Sequence, residues 1–202
     1  MVRFILIWAA VAVAIAVPIA AAAVSPQLEW RHPVYIAAGF AGITALGLLL
    51  VQPLLIGGFL PGLSGHGARR AHRWIGGLLV AAVVFHVGAL WITNPPDVID
   101  ALIFESPTPF SAWGVIAMWA TFAAALFAAL RRRLRLRPRT WRIGHTLLVG
   151  IVVVGTMAHA MLIEGTMETV SKVALCALVL VATMKVVADL RVWSNKPRRA
   201  AE

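Results

Sequence analysis

The chain has 202 residues and six histidines, and four of those histidines stand in two pairs of equal spacing. His72 and His86 are 14 residues apart, and so are His145 and His159. At 3.6 residues per turn, 14 residues fall only about 40° short of four full turns, so each pair shares one helix face, roughly 21 Å apart along the axis. Two such helices running in the same direction bring His72 level with His145, and His86 level with His159. Neutral imidazole is a metal ligand, and two facing imidazoles at each of two depths match axial ligation of two b-type haems. No Cys-x-x-Cys-His attachment motif occurs, which excludes c-type linkage. A zinc site needs three or four clustered ligands, and separations of about 21 Å along the helix forbid that clustering. One turn from the histidines, on the side between the two levels, stand Gly76, Ala82, Gly155 and Val149. Small residues there leave room for a flat macrocycle, although they also serve close helix packing in a membrane. His66, in the run Gly62–Gly67, reads as a solvated loop residue, and His32 as an interfacial one.

The segments that position these histidines are apolar throughout. The chain is 61% hydrophobic and only 13% charged, with a mean hydropathy of +0.88, against about 25% charged in an ordinary soluble domain. A bilayer crossing takes about 20 apolar residues, and six candidates can be marked. They run over 4–24, 33–57, 73–92, 111–130, 141–163 and 167–190, with Gly and Pro clusters at the joins. The expected architecture is an all-α integral membrane protein, a six-helix bundle forming one transmembrane domain over 1–202. Two haems would stack across the membrane between the third and fifth segments. The first segment could also be read as a signal peptide, but its apolar run of about 21 residues exceeds the usual 7–15, so a retained helix is expected. The lone cysteine, Cys176, lies inside an apolar run and offers no disulfide within the chain.

Charge sets the expected orientation through Lys and Arg in short loops. Arg3, then Arg69, Arg70 and Arg73, then Arg131, Arg132, Arg133, Arg135, Arg137, Arg139 and Arg142, then Arg191, Lys196, Arg198 and Arg199 fall on one side. That is 15 of the 18 basic residues, so both termini are expected in the cytoplasm. The opposite loops hold Arg31 with Glu29, Asp97, Asp100, Glu105 and Glu164. The net charge of +10 is therefore a topology signal, with room for anionic-lipid contact, and not a nucleic-acid footprint. Arg73 and Arg142, with Arg69, Arg70 and Arg139, are placed to neutralise the carboxylates of an inner haem, and Arg31 those of an outer one. Trp74, Trp91, Trp113, Trp119 and Trp141 read as interfacial anchors or packing residues.

At these residues the sequence resembles the ferric reductase-like transmembrane domain superfamily. That group includes ferric reductases, the membrane part of NADPH oxidases, and MsrQ/YedZ-type haem-binding subunits of sulfoxide repair. The matching stretches are Arg69–Gly76 followed by Phe85-His86, and Trp141–His145 followed by Ala158-His159, within roughly 33–190. The resemblance implies that His72, His145, His86 and His159 clamp an inner and an outer haem. A histidine at position 72 leans towards the two-haem ferric reductase pattern, since MsrQ-like members commonly lack one there. The larger members carry a flavin- and nicotinamide-binding module after the last helix, whereas no Gly-x-Gly-x-x-Gly follows a strand here. Flavin is then expected only through a partner or a peripheral site.

The expected function is electron transfer across a bacterial inner membrane. The donor would be a separate cytoplasmic flavin reductase or a membrane quinol, and the acceptor a periplasmic metal chelate or reductase subunit. A haem subunit that feeds a dedicated periplasmic reductase, and a haem-free transporter or assembly protein, are the alternatives.

Overall fold

The structure, a computed structural model, describes residues 1–190; the basic positions Arg191, Lys196, Arg198 and Arg199 lie outside the described residues. Seven α-helices follow in order: α1 Val2–Ala23, α2 Pro33–Ile56, α3 Gly65–Thr93, α4 Pro95–Leu102, α5 Pro109–Leu130, α6 Pro138–Leu162 and α7 Thr169–Asp189. A single 3-10 turn, Pro26–Leu28, joins α1 to α2. All except α4 are long and apolar enough to cross a membrane. The shortest of these six, at 21 residues, reaches roughly 30 Å, the thickness of the hydrocarbon slab.

The six expected crossings are all present, with instructive differences at their ends. Proline stands at the start of α2, α4, α5 and α6, where its missing N–H is one the helix could not have used. Pro95, Pro109 and Pro138 therefore open helices instead of lying within the joins, and α4 is an element the apolar pattern did not disclose. α3 starts at Gly65, about two turns earlier than the hydropathy alone suggests. His66 consequently lies in its first turn and is exposed, not in a loop. His32 caps α2, its Nδ1 accepting from the Val34 N–H at 3.2 Å.

Packing divides the bundle into two antiparallel hairpins, α2 with α3 and α5 with α6. α7 joins them mainly through α2, and α1 lies at the edge against α2 and α7. Leu46, Leu49 and Leu50 of α2, Ala120 of α5, Val152 and Val153 of α6, and Leu175, Cys176 and Val179 of α7 form the central core. The outer surface is apolar: Trp74 is 70% exposed, and Leu78, Phe85, Val154 and Val181 are exposed alongside it. Such a surface is stable only against lipid. Trp8 anchors α1, its indole N–H donating to the Pro61 carbonyl at 3.2 Å.

Two polar contacts finish the α6–α7 connection. The buried Lys172 donates from Nζ to the Ile163 carbonyl at 2.9 Å, so a cation meets the carbonyl end of α6, where the helix dipole favours it. Glu168 caps α7, accepting from the Val170 and Ser171 N–H groups at 2.6 and 2.8 Å. The Ser171 and then the Val170 amide hold its carboxyl below the ordinary value of 4.5.

A depressed carboxyl pKa means that the cap is complete above the ordinary value and is lost as pH falls through the lowered one. Amide exchange at Val170 and Ser171 should therefore quicken, relative to its intrinsic rate, only below pH 4.5; an unchanged protection factor would show that the cap holds nothing. α5 and α6 approach closely at Gly155, where an added Cβ would lie 3.1 Å from both the Trp113 carbonyl and the Ala117 Cβ. Gly155→Val forces the hairpin apart and should destabilise by about 1–3 kcal/mol, seen as a lower thermal midpoint in detergent; an unchanged midpoint would contradict this packing.

Candidate functional site

α3 and α6 have almost no direct backbone contact with one another. What meets between them is a pair of rings: the imidazoles of His86 and His159 have centroids 6.5 Å apart and planes at 81°. Each ring is held from behind by the helix that precedes its own. His86 Nδ1 donates to the Ala38 carbonyl of α2 at 2.7 Å, and His159 Nδ1 donates to the Phe110 carbonyl of α5 at 2.8 Å. A carbonyl can only accept, so the proton sits on Nδ1 and the lone pair on Nε2.

These carbonyls can be reached because a glycine follows one turn later. A Cβ on Gly42 would lie 3.2 Å from the His86 ring, and one on Gly114 only 2.7 Å from His159 Nδ1. The same three-part device, carbonyl, glycine and histidine, thus occurs in both hairpins. With metal–imidazole bonds of about 2 Å on both sides, and the half-widths of two rings, one metal needs centroids roughly 6 Å apart. The observed 6.5 Å spacing leaves room for one metal ion between the two rings.

The second level is built on the same register. Gln52 and Ala124 stand 14 residues after Ala38 and Phe110, and their carbonyls approach His72 and His145. Neither approach closes to a hydrogen bond, and both Nδ1 atoms are buried without a partner. His72 and His145 are near enough for charges on them to interact. Two more side chains at this level are also unsatisfied. Both polar atoms of the Gln52 carboxamide are buried and unpaired, as is the Trp141 indole nitrogen. Gln52 is 9% exposed, and its Nε2 lies 3.4 Å from where a Gly76 Cβ would be. Buried polar groups are nearly always paired, so unpaired atoms gathered at one level suit a bound group with a polar periphery. Among the described residues no cluster of three or more His, Cys, Asp or Glu could hold a metal ion by itself. Paired imidazoles with a large cofactor therefore suit this chain better than a protein-only metal cage.

Other expected site residues fall less simply. Arg73 and Arg142 are exposed. Trp74, Trp91, Trp113 and Trp119 are exposed on the apolar surface, whereas Trp141 is a packing residue. Its ring stacks on His145 at 5.3 Å and 10°, and the Arg131 guanidinium covers it at 4.2 Å. Gly155 opens onto α5, and Gly76 onto Gln52, so the room they leave serves helix packing first. Ala38, Phe110, Gly42, Gly114 and Gln52 were not singled out by the histidine pattern. A signal for the glycines did exist: each stands on the segment before a histidine helix, 72 residues from the other.

Gly114→Ala should push the His159 ring off the Phe110 carbonyl and shift its Nδ1–H resonance. Gly150→Ala, which meets nothing within 4 Å, should leave it in place. Equal effects of the two substitutions would remove Gly114 from the device.

A family model described as ferric reductase like transmembrane component matches residues 38–156, from α2 through most of α6. No curated protein and no solved structure matches.

Proposed function

The chain belongs to the ferric reductase-like transmembrane family, and from that premise we propose that it moves electrons across the membrane through two b haems. His72 and His145 would ligate one, His86 and His159 the other. The observation that carries the reading is the facing pair His86 and His159, with each Nδ1 tied to a backbone carbonyl. Bound haem supplies reversible one-electron chemistry at its iron.

The chain's own residues do the rest. The Nδ1–H bonds to Ala38 and Phe110 leave both Nε2 lone pairs free and would make the imidazoles stronger donors to a bound haem iron. Gly42 and Gly114 let each ring reach its carbonyl. The helix pairs α2–α3 and α5–α6 hold the rings within apolar walls that keep water away. At the His72 level, Trp141 fixes the tilt of the His145 ring by stacking on it. Arg73 and Arg142, exposed one residue after His72 and three before His145, would neutralise haem carboxylates at the rim.

Positive-inside charge supports placing the His72/His145 level towards the cytoplasm of a bacterial inner membrane. Electrons would then enter there from a separate flavin reductase or a membrane quinol, and leave from the His86/His159 level to a periplasmic metal chelate or reductase subunit.

Substitution of the four histidines one at a time tests the pairing. His72→Ala and His145→Ala should each remove the same haem, leaving about half the b-type absorbance. His86→Ala and His159→Ala should each remove the other. If His72→Ala and His86→Ala give one identical spectral loss, the two-level assignment fails.

A further inference from the structure

The turn between α5 and α6 contains a pocket of about 420 Å³ lined by Arg131, Arg132, Arg135 and Leu136. Its backbone is a helix-terminating motif in which the Leu136 N–H donates to the Arg131 carbonyl at 3.4 Å and the Arg135 N–H to the Arg132 carbonyl at 3.2 Å. This places Arg135 at the left-handed position, φ 48°, which glycine normally takes because a Cβ there crowds the following carbonyl. The chain thus accepts strain at a site where glycine would remove it, and the residue it places there is a third guanidinium for one pocket.

Capping does not explain these charges, since the turn's own N–H groups already satisfy the Arg131 and Arg132 carbonyls. Ion pairing does not explain them either: among the described residues the one salt bridge is Lys185–Asp189, at 2.5 Å. Membrane orientation needs basic residues in the loop, but not their convergence. Arg131 is also held in place, its guanidinium lying over Trp141 at 4.2 Å. Planar guanidiniums match phosphate oxygens in bidentate fashion, and Leu136 gives the pocket an apolar wall suited to the carbon substituents of a phosphate ester.

We propose that this pocket binds a phosphate group, supplied either by an anionic lipid headgroup or by a soluble phosphate compound. The full chain, purified in detergent, is titrated with phosphatidylglycerol and followed by native mass spectrometry; a parallel calorimetric titration uses inorganic pyrophosphate. Saturable binding of one equivalent in either arm is expected, and the arm that shows it identifies the source. Arg132→Ala should weaken binding about tenfold or more, whereas Arg133→Ala, in the same turn but outside the pocket lining, should change it less than threefold. Arg135→Gly separates binding from folding: it relieves the strained backbone, so the thermal midpoint should hold or rise while binding falls about tenfold. Equal weakening by Arg133→Ala and Arg135→Gly would reduce the effect to diffuse charge and overturn the site. Absence of saturable binding in both arms would overturn it as well.

Discussion

A polar ring placed in hydrocarbon must find a partner, and in this bundle the partner is the backbone of an antiparallel neighbour. The hydrogen bonds from His86 Nδ1 to Ala38 and from His159 Nδ1 to Phe110 are the constraint on which the rest is arranged. An α-helical carbonyl is already engaged within its own helix, so a second donor must arrive from the side. That approach requires the residue one turn later to lack a Cβ. Gly42 and Gly114 meet this condition. In turn, the glycines determine which helix can stand in front of each histidine.

The hairpin α2–α3 and the hairpin α5–α6 consequently read as two copies of one design. In each, a carbonyl and a glycine on the first helix serve a histidine on the second, and a further carbonyl 14 residues on approaches the other histidine. In a six-crossing bundle α3 and α6, the third and fifth crossings, run in the same direction. This arrangement brings the histidines together at matching depths without direct packing of α3 on α6. It also gives the two levels different characters. The His86/His159 level is satisfied by backbone alone, whereas the His72/His145 level gathers the unpaired Gln52, Trp141 and histidine nitrogens.

Much of this was legible in the sequence because membrane helices obey few rules. Apolar run length disclosed all six crossings, and the 14-residue spacing disclosed that each histidine pair shares a face. Hydropathy failed at helix ends for a physical reason. α3 begins with Arg69 and Arg70 in its first turns, and polar residues at a water interface look the same in a helix as in a loop. α4 escaped because eight residues are too few to span anything. The backing carbonyls could not be read, since every residue carries one and only tertiary register selects Ala38 and Phe110. Trp141 could be read only as an interfacial anchor or a packing residue, because its stacking on His145 depends on the ring's rotamer, which composition does not report.

The central claim is that four histidines on two helices hold two haems, and a cofactor assay of the purified full-length protein tests it most directly. A pyridine haemochrome measurement, referenced to protein by amino-acid analysis, should return two non-covalent b haems per chain. Folded protein that returns none, when expressed with haem in ample supply, would contradict the account.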